Sequence, residues 1–179
     1  MRHLALLVTL AGLSTTPLMA QHEHGATDST RSPYVELTGR DIKALGEEDV
    51  AALLAGDGMG LALAGELNRY PGPRHVLELA HDLGLEHGTV EQIQAIRDSM
   101  LARATALGRH IVDAERRLDR AFRKRRLGDA DLRSVTAEIA RLEGELRYVH
   151  LRAHLQVTAL LTPEQVDRYE ALRGYRRDG

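Results

Sequence analysis

Two long runs of apolar residues spaced by alternating threes and fours, broken only once, leave this chain few folds to choose from. The first run is Ile93, Ile96, Met100, Ala104, Leu107, Ile111, Ala114, Leu118 and Ala121. The second is Leu132, Val135, Ile139, Leu142, Leu146, Val149, Ala153, Val157 and Leu160. That spacing puts the apolar side chains on one stripe of a helix, as in a coiled-coil seam. The break between them, Leu127-Gly128-Asp129, is too short for anything but a reversal. Two helices of about 35 residues, each about 50 Å long at 1.5 Å per residue, are therefore predicted to pair antiparallel. A seam rich in alanine buries little by itself, so shorter helices or a second copy of the chain must cover it. An all-α hairpin with flanking helices is expected, and a homodimer with it.

The shorter elements can be read from their punctuation. A short helix is predicted over 47–55, stopped by Gly56; another over 61–70, stopped by Pro71-Gly72-Pro73; and a third over 74–83, broken by Gly84 and Gly88. Thr89-Val90-Glu91-Gln92 has the form of a capping box ahead of the first long run. Thr162-Pro163-Glu164-Gln165 has the same form ahead of a last helix, with proline at its first position.

The start of the chain reads as an address. Arg2 and His3 precede an apolar stretch over 4–13, followed by a polar and then small segment ending at Ala20. This is the layout of a secretory signal peptide, cut near Ala20, and it implies export to the periplasm in a host with two membranes. The apolar stretch is too short to span a bilayer, and no later stretch approaches a span. The expected organisation is a signal peptide (1–20), a His-containing arm (21–32), an N-terminal extension with short helices (33–72) and a helical domain (73–175).

Composition excludes several functions. There is no cysteine, hence no disulfide, thiolate metal site or cysteine nucleophile. A formal charge of −2 and one Phe, five Tyr and no Trp give nucleic acid neither a field nor a stacking platform. Seven basic residues crowd 116–126 at the far tip of the hairpin. They suit a solvated face, or a rim for acidic, partly unfolded clients. The glycines at 56, 58 and 60 lack the Gly-Lys-Ser/Thr ending of a phosphate loop. Nothing arranges catalytic groups, and no enzyme is expected.

The doubled box on either side of a helical hairpin, behind a signal peptide, resembles the Spy/CpxP family of periplasmic proteins and its heavy-metal-resistance and metal-sensor relatives. Their mark is a twice-occurring Leu-Thr-x-x-Gln. Leu161-Thr162-Pro163-Glu164-Gln165 matches it fully; in the first copy Gly88 stands where leucine is expected, with Leu85 three residues earlier. The resemblance covers about 74–175. It implies a four-helix hooked hairpin that dimerises into a cradle. It also implies one of two activities: ATP-independent chaperoning of unfolded clients, or metal binding linked to a membrane-bound signalling protein.

Candidate ligands follow from both sources. His150 and His154 lie four apart on one helical face, a spacing that suits Zn, Cu, Ni or Co and equally suits two solvated surface histidines flanking the seam. Without a Glu directly after His150, the pair is no zinc-protease motif. By position, the resemblance implies His81, Asp98 and His154 as ligands, with His150 one turn away. No cofactor is obligatory on this reading; a divalent transition metal is the expected ligand. His22-Glu23-His24 in the arm is a separate, looser candidate.

Overall fold

The long pair dominates the architecture. In the computed structural model, which describes residues 31–175, helix α4 spans His87–Arg123 and α5 spans Asp129–Thr158. Ahead of them lie α1 (Glu47–Ala55), α2 (Leu63–Glu66) and α3 (Pro73–Glu78); α6 (Pro163–Arg173) follows. Among the described residues every regular element is helical. No helix among the described residues is long and apolar enough to cross a membrane. The expected signal peptide and most of the expected arm, including His22 and His24, lie outside the described residues.

Helices α4 and α5 run in opposite directions. Ile93, near the start of α4, shares a core with Val157, near the end of α5, while Arg117 reaches Glu138 at 2.6 Å at the other end. The turn between them ends at Gly128, and the termini carry matching charge. Arg120 and Arg123 close α4, and Asp129 and Asp131 open α5, each favourable to its helix dipole. Every seam residue is buried or half-buried. Ile111 and Leu142, 2% and 4% exposed, are typical; burying such a side chain stabilises the fold by about 1.5–3 kcal/mol.

The two Thr-Gln boxes behave differently. Thr162 caps α6 as expected: its hydroxyl accepts from the Gln165 amide (3.2 Å), and the Gln165 side chain accepts from the Thr162 amide (2.9 Å). Thr89 caps nothing. Helix α4 starts a turn earlier, capped by Glu86, whose carbonyl takes the amides of Thr89 and Val90. Residues 87 and 88 accept helical torsions, so the helix propagates back until the extended backbone of Glu86 stops it.

The N-terminal part is more broken than its apolar content suggests, and more deeply integrated. Helix α2 is a single turn, bounded by Gly60 (φ 76°) and by Arg69 in a left-handed conformation (φ 68°). Helix α3 ends at Glu78, and turns carry the chain on to 84. Yet the described residues from Glu36 onward belong to one compact unit. Helix α1 lies on α4 at Gly108, where a Cβ would stand 1.9 Å from the Leu53 carbonyl oxygen. Gly56 ends α1 in the left-handed region (φ 75°), and a Cβ there would meet the Thr105 hydroxyl at 2.8 Å. Leu53 and Ile42 thereby join Ile111, Leu142 and Leu146 in one core. A second core gathers Val76, Leu83, Ile93, Val157 and Tyr169. Along α5 the first core ends at Val149 and the second begins at Val157. His150 and His154 occupy the interval.

Candidate metal-binding site

His150 and His154 project from one face of α5 because four residues make about one turn. That face is covered: the two residues are only 3% and 9% exposed. The reading of the pair as solvated, seam-flanking histidines is therefore corrected. The cover is the segment from Gly56 to His75. Helix α2 lies against His154, where a Cβ on Gly65 would sit 3.6 Å from the His154 Cβ. Gly72 passes the edge of the same ring so closely that a Cβ there would stand 2.7 Å from Cε1 and 2.9 Å from Nε2. Only glycine permits that approach.

Hydrogen bonds set the imidazoles. Nδ1 of His154 lies 2.7 Å from the Tyr70 carbonyl oxygen. A carbonyl can only accept, so Nδ1 carries the proton and Nε2 of the neutral ring keeps its lone pair. Nδ1 of His75 lies 3.3 Å from Oε1 of Glu66, and the same argument leaves its Nε2 free. Carbonyl and carboxylate partners of this kind orient metal-binding histidines. Nε2 of His150 is buried without a hydrogen-bond partner. Burial and the neighbouring His154 push the His150 pKa down, against the pull of Asp57, favouring the neutral ligand form.

Glu66 is the hub. Its carboxylate accepts from the hydroxyls of Tyr169 and of Tyr175 (3.1 Å), and from the amide of Gly72 (3.1 Å). Arg173 approaches at 3.9 Å and His154 at 3.7 Å. Burial pushes this acid up, but the two tyrosine hydrogen bonds and the charges of His75 and His154 outweigh it and hold the carboxyl below its ordinary value. Burial, together with the bond to Glu66, pushes Tyr169 far above the normal phenol range, so it stays a donor. One carboxylate thus ties α2 to α6 and aligns His75.

A partly open cavity of about 270 Å³ adjoins these groups. Its lining includes Asp57, Met59, Met100 and His75 besides His150 and His154. As the side chains stand, no three His, Asp or Glu among the described residues converge in metal-holding geometry. The remaining residues implied by the resemblance lie elsewhere. The His81 side chain is fully exposed, with Asp82 3.5 Å away, and Asp98 accepts a hydrogen bond from Gln94 at 2.7 Å on the surface of α4. Neither lines the cavity. Its other polar side chains are Asp57, Glu66, Arg74, His75 and Arg97, of which His75 and Glu66 are ones that sequence spacing did not single out as ligands. The available signal was slight: His75 stands six residues before His81, and Glu66 is a lone acid in an apolar stretch ahead of a Pro-Gly-Pro breaker.

Part of the basic run at the tip is internally engaged. Arg116 meets Asp41 and Asp113, Arg117 meets Glu138, and Arg123 meets Asp119. No protein-family model, curated protein or solved structure matches the chain.

Proposed function

We propose that this chain is a non-enzymatic, periplasmic metal-binding protein, similar to the heavy-metal-resistance and sensor relatives of the Spy/CpxP family, and that it acts as a homodimer linked to envelope or metal stress. The observation that carries this reading is the buried pair itself. Two imidazoles one turn apart border a cavity, and one has a buried nitrogen without a protein partner. Such a group calls for a reason, and a bound ion would supply one. His150 and His154 are the proposed ligands, with His75 within the same cavity; Tyr70 and Glu66 orient the rings. A bound divalent ion would cross-link α5 to the segment that covers it and stabilise the fold by RT ln(1 + [L]/Kd).

Calorimetric titration of the exported chain with Zn, Cu, Ni and Co tests the proposal. The double variant His150→Ala/His154→Ala is expected to lose binding, and removal of residues 21–32 to leave it intact. Loss on removing the arm, with full binding by the double variant, refutes it. The second reading is an ATP-independent chaperone or stress adaptor of the Spy type that binds unfolded clients. It is favoured by Tyr148 and Leu155, exposed on one side of α5, and by Phe122, 57% exposed within the basic tip. Suppression of client aggregation by the double variant, without metal, would support it.

A further inference from the structure

The four methionines of this chain are unevenly placed. Met1 and Met19 belong to the first twenty residues; the other two, Met59 and Met100, both line the cavity that holds His150 and His154. They reach it from different elements. Met100 comes from α4, half-buried, and Met59 from the turn between α1 and α2. Met59 has a left-handed backbone (φ 43°), which glycine adopts freely and a side chain opposes. Glycines stand on both sides of it, and Gly58, Met59 and Gly60 all border the cavity.

The cavity is lined by charged groups (Asp57, Glu66, Arg74 and Arg97) and by four neutral donors, the thioethers of Met59 and Met100 and the imidazoles of His150 and His154. A thioether is a soft, uncharged ligand, and imidazole binds copper in its neutral form. The His154 Nδ1–H is committed to Tyr70, which leaves Nε2, and the buried Nε2 of His150 has no partner. The buried carboxylate beside them is already occupied by Tyr169, Tyr175 and Gly72. Asp57, the other carboxylate of the lining, is exposed at the surface. A half-buried set of neutral sulfur and nitrogen donors suits a soft monovalent ion. It keeps the desolvated charge at one, and thioether sulfur favours a soft cuprous ion over a hard dication, which prefers oxygen donors.

We propose that the cavity is a cuprous-ion site, with Met59 and Met100 supplying thioether donors and His150 and His154 the imidazoles. This rests on the metal-binding reading above and changes the class of ion. The test titrates the full chain anaerobically with Cu(I) against bicinchoninate, with Zn(II) and Co(II) titrated in parallel, and records X-ray absorption of the copper-loaded protein. Sulfur scattering is expected around the copper. Met59→Leu/Met100→Leu is expected to weaken Cu(I) by ~10-fold or more while leaving Zn(II) and Co(II) binding unchanged. Met59 is 46% exposed, so the single Met59→Leu variant gives the same comparison without touching the core. Absence of sulfur scattering, or unweakened Cu(I) binding by both variants, overturns the proposal. If Zn(II) or Co(II) still binds in a manner that needs His150 and His154, only the cuprous assignment falls. If no metal binds the wild-type chain, both readings fall together.

Discussion

Gly108→Ala and Gly144→Ala are the same chemical change in two long helices, and the structure predicts opposite signs for them. Glycine inside a helix costs about 1 kcal/mol relative to alanine, so either change gains that much from the backbone alone. At Gly144 a Cβ would meet nothing within 4 Å, and the gain should appear undiminished. At Gly108 the same atom would stand 1.9 Å from the Leu53 carbonyl oxygen and 2.6 Å from its carbonyl carbon. Both are backbone atoms of α1, so no side chain can rotate away. Helix α1 has to retreat by about 1 Å, which forfeits a quarter to a half of each dispersion contact it makes and loosens Leu53, now 6% exposed. Overpacking of this kind costs typically 1–3 kcal/mol and more when backbone must move. The net expectation is a loss of about 2 kcal/mol for Gly108→Ala against a gain of about 1 kcal/mol for Gly144→Ala. Urea unfolding separates these by roughly 1 M or more in midpoint at ordinary m-values. If Gly108→Ala stabilises the protein as Gly144→Ala does, α1 is not seated on α4 at Leu53.

Two other predictions test the capping boxes and an isolated acid. Thr162→Ala should destabilise by about 1 kcal/mol because it strands the Gln165 amide, whereas Thr89→Ala, lacking any cap bond, should be near neutral in the same melt; equal losses would restore a symmetric pair of boxes. Glu115 is pushed up by burial and then by Glu143, so its charged form is disfavoured in the folded state. The destabilisation is fully present above the folded pKa and disappears below the unfolded value of about 4.3, so Glu115→Gln should raise the melting temperature at pH 7 and lose that advantage near pH 4. A shift that persists unchanged at pH 4 would contradict this account.

What was legible in the sequence was periodic. The two seams, the reversal at Gly128 and the cap at Thr162 follow from spacing and turn chemistry, which are local. The all-α class with a long helix pair followed from them. What was not legible depended on close approach between segments far apart in the chain. Gly108 looks like an ordinary weak point in a helix until α1 is seen against it. The stretch 33–72 has no strong pattern, so nothing in it announces that it covers His150 and His154. The spacing of that pair was readable and its burial was not. Thr89 shows the reverse error: a correct local motif was bypassed because the helix could extend past it.

The covered histidines raise a question of energy that the packing helps to answer. Leucines at 150 and 154, beside the seam, would bury more apolar surface in the interval between the two cores of α5. Instead the chain places two imidazoles in the gap and satisfies most of their neighbourhood with polar groups. These are the Tyr70 carbonyl, the Glu66 carboxylate and the two tyrosines that hold it. Buried polar networks rarely outdo apolar packing on stability alone. This one also demands glycine at 72, since a Cβ there would strike the His154 ring and approach Glu66 at 3.3 Å. Three separate segments, α2 with the turn after it, α5 and α6, are thus arranged around one ring whose Nδ1 is held by the Tyr70 carbonyl. Within the metal-binding reading that arrangement has a use: the network holds the imidazole in the tautomer that presents a lone pair, before any ion arrives.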